Sequence, residues 1–157
     1  MISIRRWLTR LSCLLLLCAC VPAPDFIDIE GQGHRYEEID DKWIIVNYWA
    51  TWCGPCIKEI PELNELAHEQ ADRIRVFGVN WDEPEGEKRL EQAKKMKIEF
   101  PVYSEDPSGR LGIEKPNVLP TTYLFAPGLV LVEELIGPQT RESILEVVDR
   151  ISIQDQI

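Results

Sequence analysis

The chain has 157 residues, 45% of them apolar and 28% charged, with a formal net charge of −10 at neutral pH. That length suits a single domain once a leader is removed, and the composition is that of a globular protein, not a disordered one. No basic footprint of the kind that tracks a phosphate backbone is present, which argues against DNA or RNA as a partner.

Residues 1–19 read as a secretory leader. Arg5, Arg6 and Arg10 make its positive start, and "LSCLLLLCA" follows as an apolar core too short to span a bilayer. The stretch ends in "LCAC", Leu17 to Cys20, which resembles the lipobox of bacterial lipoproteins; that resemblance makes Cys20 the lipidated first residue of the mature chain. Cys18 is an unusual occupant of its place. The alternative is an ordinary signal peptide cut further on, where "VPA" is the nearby match and would leave Pro24 after the cut. Loss of three arginines makes the mature chain more acidic still, which favours basic clients over anionic lipid. Residues 20–25 then form the lipidated cysteine and a Pro-containing tether. Its five residues after Cys20 reach only ~15 Å in a polyproline-like state, so the domain should stay close to the membrane surface.

The domain proper is expected over residues 26–157. "FIDIE" and "HRYEEI" flank the turn "GQG" and predict a small N-terminal hairpin. "WIIVNYWA" is an apolar run of strand length, suited to burial on both faces. A helix is expected from about Pro55 to Ala71, then a second buried strand in "IRVFGVNW" and a charged helix in "EGEKRLEQAKKM". "FPVYSE" reads as a short extended piece and "PSGRLGI" as a short helix or turn. "LPTTYLFA" and "LVLVEEL" read as two strands joined by the turn "PG", and the last helix carries Ile144, Val147, Val148 and Ile151 on one face. This alternation predicts an α/β fold with a central mixed sheet, parallel in its first part and completed by an antiparallel hairpin.

The chemistry lies in "NYWATWCGPCIKEIPEL". Of the five cysteines, Cys13 and Cys18 leave with the leader and Cys20 takes the lipid, so Cys53 and Cys56 remain, in an exported and oxidising setting. They bond to each other or to a client. Cys53-Gly54-Pro55-Cys56 lies where a buried strand gives way to a helix. Free N–H groups and the helix dipole favour a thiolate there by up to ~2 kcal/mol, enough to bring a thiol from about 8.5 toward ~7. A thiolate at ambient pH is what thiol–disulfide exchange needs. Cys53 is read as the attacker and Cys56, one turn in, as the resolving thiol. Pro55 suits the first helical turn, and Trp52 offers a flat apolar contact beside the sulfur. The competing reading, half of a zinc site, would need two further ligands. The mature chain offers His34 and His68, without metal-like spacing, and both are expected at the solvated surface. No metal and no cofactor is called for.

"WCGPC" with "LPTTYLF" downstream resembles the thioredoxin superfamily, and "VNYWATWCGPCIKEIPEL" is similar to its TlpA/ResA-like branch of membrane-anchored thiol–disulfide reductases. The resemblance runs from about Phe26 to Ile151. It implies a thioredoxin-like fold and a cis bond between Leu119 and Pro120 that presents backbone to a client strand beside the thiol pair. A trans proline ending a loop is the alternative. Cytosolic thioredoxins carry a buried Asp where this chain has Asn47, which cannot titrate. The ResA-like branch instead has a Glu three residues after the second cysteine, here Glu59. A helical wheel at about 100° per residue places Glu59 within the apolar arc of Leu63, Leu66, Ala67 and Ile60, and one step from Cys56. Such a carboxyl should titrate near neutrality and serve as the base for Cys56. The alternative is a surface glutamate in a first helical turn bent by Pro61. Trp81 either lines the site or is structural.

The resemblance further implies an enzyme of the bacterial cell envelope, lipid-anchored on the periplasmic side, that reduces disulfides in client proteins. Apocytochrome c is among that branch's clients, and membrane proteins of the DsbD and CcdA kind are its electron donors. The chain is read as a monomer. The competing functions are a non-catalytic client-binding lipoprotein, an oxidant or isomerase, and a copper chaperone, which would want wider cysteine spacing and a nearby histidine.

Overall fold

The computed structural model describes residues 22–154. The leader, its arginines, Cys13, Cys18 and the expected lipidation site Cys20 lie outside the described residues.

At the centre stands β3 (Trp43–Trp49), whose seven residues are all buried. Both of its faces are covered, which is why its sequence is apolar except for the hydrogen-bonded Asn47 and does not alternate. β4 (Ile74–Asn80) pairs with it in parallel, with Trp43 opposite Ile74 and Trp49 opposite Asn80. On its other side β5 (Thr121–Ala126) runs antiparallel, with Tyr48 opposite Thr121, and β6 (Val130–Ile136) completes the order β4-β3-β5-β6 as an antiparallel edge. The mixed sheet predicted above, parallel first and then an antiparallel hairpin, is thereby observed. α1 (Gly54–Glu69) leaves the C-terminal end of β3 and stays continuous through Pro61. α2 (Lys88–Met96) ends on Lys97 in the left-handed conformation, φ 58°. α3 (Ser108–Leu111) is one turn, and α4 (Arg141–Gln154) closes the chain.

Leu63 and Leu66 of α1 and Ile144, Val147 and Val148 of α4 pack on one face of the sheet, against Ile45, Val76 and Leu124. The opposite face is aromatic: Phe77, Tyr48, Tyr123 and Phe125 meet Phe26, Tyr36 and Tyr103. β1 (Phe26–Ile27) and β2 (Gly33–His34) form the small antiparallel sheet that carries Phe26 onto this face, edge-on to Phe77 at 5.3 Å.

This extension differs from the expected hairpin in two respects. "HRYEEI" does not continue as a strand, because Tyr36–Glu38 forms a 3-10 turn. The Tyr36 N–H goes to the Asp25 carboxylate at 2.8 Å instead of to a ladder partner, and the Tyr36 hydroxyl bonds that of Tyr103 at 2.8 Å. Asp25, assigned to the tether, is docked here through its N–H to His34 at 2.8 Å. Second, His34 is not a solvated residue. Its side chain is 15% exposed, stacks on Phe26 at 4.8 Å and bonds the buried Asp28 carboxylate at 2.8 Å. Asp28 sits in a low-dielectric place with two backbone N–H groups, those of Glu30 and Gln32, already on one oxygen; the imidazole satisfies the other. His68 is exposed as expected and meets Glu99 at 2.9 Å.

Candidate active site

The site forms where β3 runs out. The Cys53 N–H turns back to the Ala50 carbonyl at 3.1 Å, which sharpens the bend between strand and helix. Cys53 is the N-cap of α1, and its sulfur accepts the Cys56 N–H at 3.2 Å. That is one of the free donors every helix start presents, here pointed at the reactive sulfur. Cys53 and Cys56 are joined as a disulfide, with Cα atoms 5.3 Å apart. Cys53 is 4% exposed and Cys56 1%, so the outer cysteine is also the more reachable one. Gly54 and Pro55 lie on the surface above them.

One turn further along the same buried helix face is Glu59, 2% exposed. Its Oε1 accepts from Asn47 Nδ2 at 3.0 Å and from the Thr122 hydroxyl at 3.2 Å, and Asn47 also donates to Thr122 at 2.9 Å. Its Oε2 has no hydrogen-bond partner among the described residues. Burial pushes the carboxyl up to about 8, with the Thr122 hydroxyl and then the Gln139 backbone pulling the other way. Near neutrality the group is therefore mostly protonated and can either give or take a proton. Asn47, the departure from the cytosolic pattern, is the donor that fixes this carboxyl in place. Thr122 was not among the residues expected at the site, although it lies within the "LPTTYLF" motif. Period-two alternation along β5 puts it on the face of Leu124, where α1 packs, and away from Tyr123.

Replacing Asn47 by Leu removes two hydrogen bonds inside this cluster, leaves the Thr122 oxygen without a donor and leaves Glu59 Oε1 with the Thr122 hydroxyl alone. The expected loss is about 1–3 kcal/mol of stability, read from the urea midpoint at unchanged slope.

The Leu119–Pro120 peptide bond is cis and Pro120 is buried. Pro120 immediately precedes β5, whose first residue Thr121 is level with Tyr48, so it lies at the end of the sheet where β3 exits toward Cys53. Leu119 packs against the cluster that contains both cysteines, and so does Trp81. Trp81 thus borders the site: its indole N–H donates to the Pro116 carbonyl at 2.9 Å, and the Lys115 ammonium sits 4.8 Å from its ring. Trp52 is 64% exposed. Its indole N–H is shared between the two Asp82 oxygens at 3.1 Å each, and its ring stands edge-on to Trp81 at 6.2 Å. Trp52 therefore presents a fixed aromatic surface on the rim of the site.

The chain is similar to known proteins. The family model described as "AhpC/TSA family" matches residues 20–133. A thiol–disulfide oxidoreductase ResA of Bacillus cereus is 29% identical over 170 residues, covering 94% of this chain and 97% of its own. ResA of Geobacillus thermodenitrificans is 32% identical over 133 residues, covering 82% and 75%. Among solved structures, StoA from Bacillus subtilis superposes with a TM-score of 0.62 at 23% identity, over 77% of this chain and 92% of that one, and this likeness speaks to the fold.

Proposed function

Because the chain belongs to the AhpC/TSA family of thioredoxin-like proteins and is a thiol–disulfide oxidoreductase, we propose that it works as a reductant of client disulfides in the bacterial cell envelope. The observation that carries the chemistry is the Cys53–Cys56 disulfide at the start of a helix with the buried Glu59 carboxyl one turn behind it.

In the reduced protein the Cys53 thiolate attacks one sulfur of a client disulfide. The client's S–S bond breaks, its second sulfur leaves as a thiolate, and a Cys53–client mixed disulfide forms. Cys56 then gives its proton to ionised Glu59 and attacks the Cys53 sulfur. The client's remaining sulfur leaves, the Cys53–Cys56 bond closes, and two electrons have passed to the client. In recharging, a donor thiolate attacks Cys53, and protonated Glu59 supplies the proton that the departing Cys56 sulfur takes up. The same carboxyl is thus base in one half of the cycle and acid in the other.

The reducing direction rests on the Gly54-Pro55 dipeptide, which resembles that of reducing thioredoxins. The envelope location rests on the leader and on Cys20 as lipid anchor. With the cytosolic pool out of reach, the electrons come from a membrane donor of the DsbD or CcdA kind, and apocytochrome c is a fitting client because its haem-attachment cysteines must be reduced.

The deciding experiment equilibrates the protein with glutathione redox buffers and assays insulin reduction by the pre-reduced protein without dithiothreitol. A potential near the thioredoxin value of about −270 mV, with insulin precipitating, is expected. A potential near the DsbA value of about −120 mV would make the protein an oxidant instead.

A further inference from the structure

On the aromatic face, the sheet is left bare at its β6 edge. Val132 and Leu135 turn inward toward α1 and α4, which leaves Leu131, Glu134 and Ile136 facing the opposite way. No helix covers them: Leu131 is 45% and Ile136 64% exposed. The segment 112–118 rises opposite and ends in Val118, itself 52% exposed. Between the two walls lies an open groove of about 480 Å³.

Its position ties it to the redox site. Ile136 is level with Thr121, the residue after Pro120, and the Gly137 N–H donates to the Pro120 carbonyl at 2.9 Å. The groove therefore begins at the Pro120 turn and runs away from the disulfide. The row of Thr121 and Ile136 is four β5 residues from the row of Phe125 and Leu131, about 13 Å at strand rise.

Its unpaired charge is negative. The groove is lined by Glu114, Glu134 and Lys115. Lys115 is already engaged: it pairs with Glu83, lies 4.0 Å from Asp106 and caps the Trp81 ring. Among the described residues neither Glu114 nor Glu134 has a cationic partner. The Tyr123 hydroxyl lies between the Glu114 carbonyl at 2.9 Å and the Glu134 carboxylate at 3.2 Å, so it bridges the two walls without neutralising either glutamate.

We propose that this groove seats the client residues flanking the cysteine under attack, and that it selects an extended segment with a lysine or arginine between apolar side chains. The spacing carries the pattern. Ile136 and Glu134 are two residues apart on one strand face, about 7 Å, which equals the distance between alternate side chains of an extended client. An apolar–x–basic–x–apolar segment therefore places its outer side chains on Ile136 and Leu131 and its cation between Glu134 and Glu114. This selectivity rests on the reading of the protein as a client reductase.

The test uses two 12-residue peptides, each with one cysteine blocked as a disulfide with thionitrobenzoate. They differ only in the flanking segment, Leu-Ala-Lys-Ala-Leu or Leu-Ala-Glu-Ala-Leu. Release of thionitrobenzoate by the pre-reduced protein is followed by absorbance. The lysine peptide should react about fivefold faster in kcat/KM, through KM, since exposed charge pairs each contribute at most about 1 kcal/mol. Glu114→Gln combined with Glu134→Gln should abolish that preference, whereas Glu87→Gln combined with Glu91→Gln at the start of α2, which removes the same two negative charges, should retain it. Equal rates for the two peptides, or a preference that survives the groove variant, overturns the proposal. 4,4′-Dithiodipyridine, an uncharged disulfide that carries no peptide, should react equally with all variants. If the wild type fails to reduce it, the reductase reading falls and takes the groove assignment with it, whereas normal turnover without peptide preference sinks the groove alone.

Discussion

Resolution of a mixed disulfide on Cys53 is expected to slow about 100-fold at pH 8 when Glu59 is replaced by Gln, the lower end of what a positioned base contributes. Gln keeps the acceptor oxygen that Asn47 and Thr122 hold, so the cluster survives while the proton acceptor is lost. The pH profile separates this from a packing effect. With the carboxyl titrating at about 8, roughly a tenth of wild-type molecules hold it ionised at pH 7. The wild-type rate should climb about tenfold per pH unit below 8 and level above it. The Gln variant should lack that break and keep rising as the Cys56 thiol itself ionises. Stopped-flow release of a fluorescent client from the trapped intermediate reads both curves. Coincident curves would remove Glu59 from the proton path.

The oxidised protein should lose stability as pH rises from about 5 to about 8. Folding raises the Glu59 carboxyl from its ordinary 4.5 to about 8, so within this window the folded chain binds a proton that the unfolded chain has released. The stabilisation is complete below the unfolded value and is lost as pH rises through the folded one. At about 1.4 kcal/mol per unit the full span is of the order of 5 kcal/mol. Glu59→Gln should flatten that part of the curve, because its amide does not titrate. Urea midpoints of the oxidised forms at half-unit pH intervals check this, and a wild-type curve parallel to that of the variant would show that the carboxyl is not held neutral by the fold.

The parts of this architecture that sequence alone discloses are those with one strong local cause. β3 announces itself because a strand covered on both faces has nowhere for a polar side chain except a bonded one. Glu59 falls inside the apolar arc of a helical wheel, and burial follows from that angle without any contact being known. The Asn47–Glu59–Thr122 cluster is different in kind. It joins positions 12, 63 and 75 residues apart, and local periodicity says which face each residue occupies but not which side chains will meet. His34 misleads for the same reason. Its neighbours in the chain are polar, and only the folded extension brings the Phe26 ring and the Asp28 carboxylate onto it. The bare β6 face is also out of reach from sequence, since "LVLVEEL" reads as an ordinary strand until the order of the sheet makes it an edge.

Cys53 and Cys56 are separated by only three positions, and this brevity decides what their bond can do for the molecule. A cross-link constrains an unfolded chain according to the length of the ring it closes. A four-residue ring is worth about 2 kcal/mol on that account, against about 4.7 for one of a hundred residues. Opening it releases little chain entropy, so the domain can pass through its cycle repeatedly with its architecture unaffected. The bond is not a rivet: two electrons are taken up when it opens and given out when it closes, and turnover can be fast because no folding step is coupled to it.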